Sequence, residues 1–143
     1  VVIPDVNILL YANDRSAPHH AASRLWLDRA FSGRERVGLT WIVLWAYVRI
    51  STNASLPNPL PASRAVGDAA AWMRHPNAGL AAPGPTHFEI LEELMRLGGV
   101  SGGRTTDAVL AAIAVEHGAT LVSADRDFAR FTPRLRWIDP LTA

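Results

Sequence analysis

Ala119-Thr120-Leu121-Val122-Ser123-Ala124-Asp125 is the stretch on which the reading of the fold turns. Its first five residues are small, apolar or β-branched and follow directly on Gly118. Residues 119–123 therefore read as a strand, with Asp125 just past its carboxyl end. Immediately upstream, Val109, Ala112 and Ile113 recur at helical spacing, from an expected cap at Thr105 or Thr106 to Gly118. A helix delivering the chain to a buried strand is a recurring step of an α/β fold.

The same alternation runs through the rest of the chain. Val1-Val2-Ile3-Pro4 is a short β-rich run ending at Asp5, and it reads as a first strand despite its proline. Asp14 to Pro18 is a polar break, within which Ser16 is expected to cap a helix reaching about Phe31. Val37-Gly38-Leu39 is a strand candidate. Thr40 then opens a strongly apolar helix, Trp41 to about Ser51, whose only charge is Arg49; such a helix is expected to be buried on most sides. Residues 52–62 hold three prolines and two asparagines and read as a loop. A helix over 63–74 and a short strand over 79–82 follow. Thr86-His87-Phe88-Glu89 matches a capping box, and Leu91, Leu94 and Leu97 extend that helix to Gly98-Gly99. Residues 100–104 form a glycine-rich loop, and Leu135 to Ile138 a last strand. The expectation is a single α/β domain over residues 1–143 with a mainly parallel central sheet.

Composition narrows the chemistry. Hydrophobic residues make up 49% of the chain and charged ones 19%, which favours a packed core over disorder. Cysteine is absent, which removes disulfides, thiol catalysis and Cys-based zinc sites. Lysine is absent too, so all 14 basic residues are arginine and a Walker-type phosphate loop is excluded. The net charge of +1 is compatible with a nucleic-acid partner without pointing to one. No apolar run approaches the roughly 18–20 residues of a membrane span, and no basic-then-apolar leader opens the sequence, so a cytoplasmic location is expected. His19, His20, His75, His87 and His117 show no metal-binding spacing, and no glycine run has a dinucleotide fingerprint.

In open parallel sheets ligands bind at the carboxyl ends of the strands. Asp5 and Asp125 are expected at two such ends, and Asp107 in the first turn of the helix between Thr105 and His117. Taken singly, each acid has a structural role available: Asp107 favours the helix dipole, and Asp5 and Asp125 suit turns. Taken together they form a candidate cluster. Gathered carboxylates repel one another and are relieved by a cation; Mg²⁺ suits them, taking one or two carboxylates and keeping several waters. That combination serves phosphodiester hydrolysis. Arg49, Arg104 and Arg126 flank the predicted acids and are candidates for RNA-phosphate contacts. Trp26, Trp41, Trp45 and Trp72 fall on predicted helices and are assigned to core or interface packing. The apolar surplus of the first helices suggests a homodimer and a groove for a partner's helix.

Pro4-Asp5-Val6-Asn7-Ile8-Leu9-Leu10-Tyr11-Ala12 resembles the opening D-x-N motif of PIN domains, above all of VapC toxins. Thr106-Asp107-Ala108-Val109-Leu110-Ala111-Ala112, with Glu116-His117-Gly118-Ala119, resembles their third-acid helix. Leu121-Val122-Ser123-Ala124-Asp125-Arg126-Asp127-Phe128 and the ending Leu135-Arg136-Trp137-Ile138-Asp139-Pro140-Leu141 are similar to their closing motifs. The resemblance spans nearly the whole chain in the right order. It implies a three-layer α/β/α PIN domain and a Mg²⁺- or Mn²⁺-dependent endoribonuclease. It further implies the toxin half of a toxin–antitoxin pair, inhibited by a VapB-like antitoxin. By this resemblance Asp5, Asp107 and Asp125 would be catalytic and would bind the metal. Asn7, Thr106 and Ser123 would orient them, and Asp127 would contribute further.

The sequence departs from the family at one position. The usual second acid, a glutamate on the apolar helix, is replaced by Ala46, and no acid occurs from Val37 to Gly67. Either three aspartates suffice, or Glu89 or Glu92 substitutes, or activity is weak. The alternative reading is a degenerate PIN domain that binds RNA or a protein without cutting. An aspartyl-phosphate chemistry at Asp5 would normally require a lysine, which the chain lacks.

Overall fold

The computed structural model describes residues 1–142, in which short parallel strands alternate with helices. The strands are β1 (Val2–Pro4), β2 (Val37–Leu39), β3 (Ala78–Leu80), β4 (Thr120–Val122) and β5 (Arg136–Ile138). The helices are α1 (Val6–Asn13), α2 (His20–Ser32), α3 (Trp41–Ser51), α4 (Ala62–Met73), α5 (His87–Gly98) and α6 (Thr105–Glu116). Short 3-10 turns occupy Gly102–Arg104 and Arg126–Phe131.

All strand neighbours pair in parallel, in the order β3-β2-β1-β4-β5. From β1 the chain steps outward to β2 and β3, then returns across the sheet to β4 and β5. The strand order therefore reverses between β1 and β4. Helices α1 to α4 pack on one another, and α5, α6 and the Arg126–Phe131 turn form a second group. This is the expected α/β/α arrangement. Strands covered on both faces are apolar throughout: Ile3, Val37, Leu39, Leu121 and Val122 are buried. On α6, Ala108, Ala111, Ala112 and Ala114 are fully buried, and their small side chains let the helix lie close to its neighbours.

Two residues that weaken strands have local reasons to be there. Pro4 ends β1 and pairs with Val122; its missing N–H falls on the β2 side, where β1 is paired only at Val2. Gly38 of β2 is a close-approach glycine, since a Cβ there would meet Ile3 Cγ1 at 3.0 Å and Ala81 Cβ at 3.2 Å.

Several helix starts differ from expectation. Helix α1 was not anticipated: its eight residues follow β1 after Asp5 alone, which both ends the strand and caps the helix. Ser16 does not cap α2, which begins at His20 without a side-chain cap. Asp14 Oδ1 instead accepts from both the Ser16 amide (3.0 Å) and hydroxyl (2.6 Å), closing a turn four residues earlier. His20, the first residue of α2, has its Nδ1 2.9 Å from the Tyr11 carbonyl. The capping box at Thr86 and Glu89 does not form, because Thr86 Oγ1 donates to Glu116 (3.0 Å). Neither Thr105 nor Thr106 caps α6, whose first turn is entered from the 3-10 turn at Arg104. Helix α3 is buried or half-buried on most sides, as expected, and exposed along one stripe at Trp41, Trp45 and Arg49.

Candidate active site

The reversal of strand order between β1 and β4 opens a crevice at their carboxyl ends. The β1–β4 register sets Pro4 opposite Val122, so the next residues, Asp5 and Ser123, face each other. Asp5 is held from several sides. Its Oδ1 accepts from the Val6 amide (2.7 Å) as the cap of α1. Its Oδ2 accepts from Ser123 Oγ (2.7 Å) and Asn7 Nδ2 (3.3 Å). Asn7 Nδ2 also donates to Ser123 Oγ (3.1 Å), and its Oδ1 accepts from the Ala124 amide (3.2 Å). Ser123 Oγ in turn accepts from the Asp125 amide (3.0 Å), and Asp125 Oδ1 from the Asp127 amide (2.9 Å). One hydrogen-bonded chain thus runs from the start of α1 to the turn after β4. Trp137 Nε1 donates to the Ser123 carbonyl (3.0 Å) and fixes that turn from β5.

Burial raises the Asp5 carboxyl above its usual range; the Ser123 and Val6 hydrogen bonds oppose this, while the charges of Asp107 and Asp125 add to it. Asp107, half-buried in the first turn of α6, is also raised, by burial first and then by Asp125 and Asp127, against Arg104 and Arg130. Asp5, Asp107 and Asp125 therefore share one electrostatic field. They do not close into a cage, for among the described residues no three His, Asp or Glu side chains cluster tightly enough to hold an ion. The donors are hard oxygens whose mutual repulsion a cation would relieve. They fit a divalent ion taking one or two carboxylates and water, the habit of Mg²⁺, better than an ion that requires a full protein shell.

The other predicted residues are distributed unevenly. Thr106 is exposed and stands outside the hydrogen-bonded set. Arg104 Nη1 pairs with Asp127 Oδ2 at 3.2 Å, which brings both to the site's rim. Arg126 is exposed at the start of the turn after Asp125, whereas Arg49 lies in the last turn of α3. Ala46 is half-buried on α3. Glu89 and Glu92 on α5 are exposed, Glu92 pairs with Arg96 at 3.9 Å, and neither is among the charges acting on Asp5 or Asp107. Arg130 and Trp137 were not anticipated. Arg130 acts electrostatically on Asp107, and Trp137, part of the closing motif but assigned no role there, bonds the β4 end.

A model of the PIN domain matches residues 2–132. Ribonuclease VapC37 of Mycobacterium tuberculosis is 44% identical over 139 residues, covering 96% of each chain. The chain belongs to the PIN-domain family of VapC ribonucleases. Ribonuclease VapC33 of the same species is 39% identical over 142 residues, 99% of each chain. Among solved structures, VapBC2 from Rickettsia felis, bound to a promoter DNA fragment, superposes with a TM-score of 0.72 at 17% identity, covering 96% of this chain and 97% of that one. Mycobacterium tuberculosis VapC20, described as a sarcin-ricin loop cleaving toxin, gives 0.66 at 18% identity, over 95% and 99%. These two establish that this VapC ribonuclease has the PIN fold.

Proposed function

We propose that this VapC ribonuclease is the toxin of a type II toxin–antitoxin pair and a metal-dependent endoribonuclease acting through Asp5, Asp107 and Asp125. The single observation that carries the site is the meeting of Asp5 and Asp125 at the β1–β4 switch point, within the field of Asp107. A divalent cation, Mg²⁺ or Mn²⁺, held by one or two of these carboxylates, would supply an activated water and stabilise charge on the phosphate.

Every other part is played by the chain. Asp5 is locked in one rotamer by Val6, Ser123 and Asn7, so its free lone pairs point in a fixed direction. Asp107 and Asp125 act on it electrostatically, and Asp127 steadies Arg104 at the rim. Arg104 and Arg126 offer guanidinium groups to the RNA backbone beside the acids. Hydrolysis adds a water oxygen to phosphorus and releases one ester oxygen, cutting the chain internally.

The solved relatives include VapBC and FitAB complexes, which supports a cognate VapB-like antitoxin as partner. A homodimer acting as a single PIN domain per chain, in the cytoplasm, completes the reading; no helix among the described residues is long and apolar enough to cross a membrane. Ala46, and the lack of a three-ligand cluster among the described residues, favour a second reading, a binding-only PIN domain. Calorimetric titration with Mg²⁺ and Mn²⁺ separates the two. Saturable binding by wild type that Asp5→Asn and Asp107→Asn weaken supports the nuclease, and no binding by folded wild type supports the binding module.

A further inference from the structure

Trp41, Trp45 and Arg49 stand at i, i+4 and i+8 on α3, and all three are exposed. Residues at this spacing share one face of a helix. The indoles are 47% and 67% exposed and lie nearly parallel, 19° apart with ring centroids separated by 6.1 Å. Such exposure of two neighbouring indoles is unusual for a side chain of this size.

Position and charge say what such a stripe would take. Helix α3 starts where β2 ends, and β2 is parallel to β1, so Trp41 lies at the same carboxyl edge as Asp5. No acid occurs from Val37 to Gly67, and Arg49 makes no ion pair among the described residues. An acid-free face with two stacked indoles and a guanidinium suits a polyanion that carries planar bases.

We propose that Trp41 and Trp45 form a stacking platform for unpaired bases of the RNA leading away from the acidic site, with Arg49 on an adjoining phosphate. Its ligand class rests on the ribonuclease reading. Bases in a duplex keep their faces covered by neighbours, so the stripe selects single-stranded RNA.

The test is titration of a short single-stranded oligoribonucleotide in EDTA, followed by tryptophan fluorescence and anisotropy, with sedimentation run alongside. Stacking predicts fluorescence quenching in wild type. Trp41→Ala and Trp45→Ala each weaken binding by about 5- to 150-fold. Trp45→Phe retains most of the affinity, Arg49→Ala flattens the salt dependence, and a duplex of the same sequence binds more weakly. Wild-type affinity in both alanine variants would overturn the proposal. So would an unquenched wild type whose alanine variants turn from dimer to monomer, which assigns the face to a second copy of the chain. Cleavage is read separately with Mg²⁺. Quenching without cleavage removes the nuclease reading and leaves the platform; cleavage without quenching does the reverse.

Discussion

Asp5 ends a strand, caps a helix and stands at the centre of the acidic site, and each role constrains the others. Ser123 is what ties them together, donating to Asp5 Oδ2 while accepting from Asn7 and from the Asp125 amide. Ser123→Ala is expected to lower metal affinity and cleavage by about 10- to 100-fold, the range for residues that orient metal ligands. It should also cost about 1–3 kcal/mol of stability in urea unfolding, because buried donors lose their acceptor. Burial raises the Asp5 carboxyl in the folded state, so protonation favours folding. The sign follows: this contribution is present below the unfolded carboxylate range and is lost as pH rises through the raised folded value. Without metal, the stability of wild type relative to Asp5→Asn should therefore fall as pH rises above about 4. Thermal unfolding of both proteins across that interval checks it; a rising difference would contradict the burial argument. Asp5 and Asp125 were legible in the sequence because they sit where strands end, and Asp107 because it opens a helix. Arg130 and Trp137 were not, because only the Arg126–Phe131 turn and the β4–β5 pairing bring them near.

At the level of elements, helix ends account for most of what sequence reading missed. Ser16, Thr86 and Thr105 are all good capping residues, yet each helix begins by another route. Local propensity proposes a cap, and another acceptor takes the hydroxyl, Asp14 in a local turn for Ser16 and the distant Glu116 for Thr86. Glu116 at the end of α6 accepts from the Gly84 amide (2.7 Å), the Thr86 amide (3.1 Å) and the Thr86 hydroxyl, pinning the β3–α5 loop. These bonds, the Gly84 amide foremost, hold its carboxyl below the usual range, so the clamp is present at neutral pH and lost as pH falls through the lowered value. Protection of the Gly84 and Thr86 amides against hydrogen exchange, taken relative to their intrinsic rates at each pH, should fall in Glu116→Ala and, in wild type, on acidification. Helices α3 and α4 are joined by Tyr47, whose hydroxyl donates to Asp68 Oδ2 (2.7 Å) and accepts from Asn13 Nδ2 (3.1 Å). Burial and Asp68 push its pKa up to about 12, so it stays a donor at any ordinary pH. Tyr47→Phe should destabilise the protein by about 1–2 kcal/mol in urea unfolding, with the midpoint shifted and the slope unchanged.

For the whole molecule, the alternation of strands and helices was enough to read a parallel α/β fold, because both-face burial leaves apolar runs that survive in sequence. The order β3-β2-β1-β4-β5 was not readable residue by residue, since strands of three residues carry little register information. That order is nevertheless what brings Asp5 to Asp125. Ala46 leaves α3 without an acid, and among the described residues the remaining carboxylates share a field without forming a cage. RNA binding by an all-arginine surface should weaken linearly in log affinity against log salt, with a slope that reports the phosphates contacted. The most direct test of the account is cleavage of a mixed tRNA and rRNA substrate by purified wild type, Asp5→Asn, Asp107→Asn and Asp125→Asn, each verified folded by circular dichroism. The reactions are run with Mg²⁺, with Mn²⁺ and with EDTA. The account predicts internal cuts by wild type with either metal, none in EDTA, and a loss of at least about 100-fold in each variant. Metal-independent cutting, or equal cutting by wild type and variants, would contradict it.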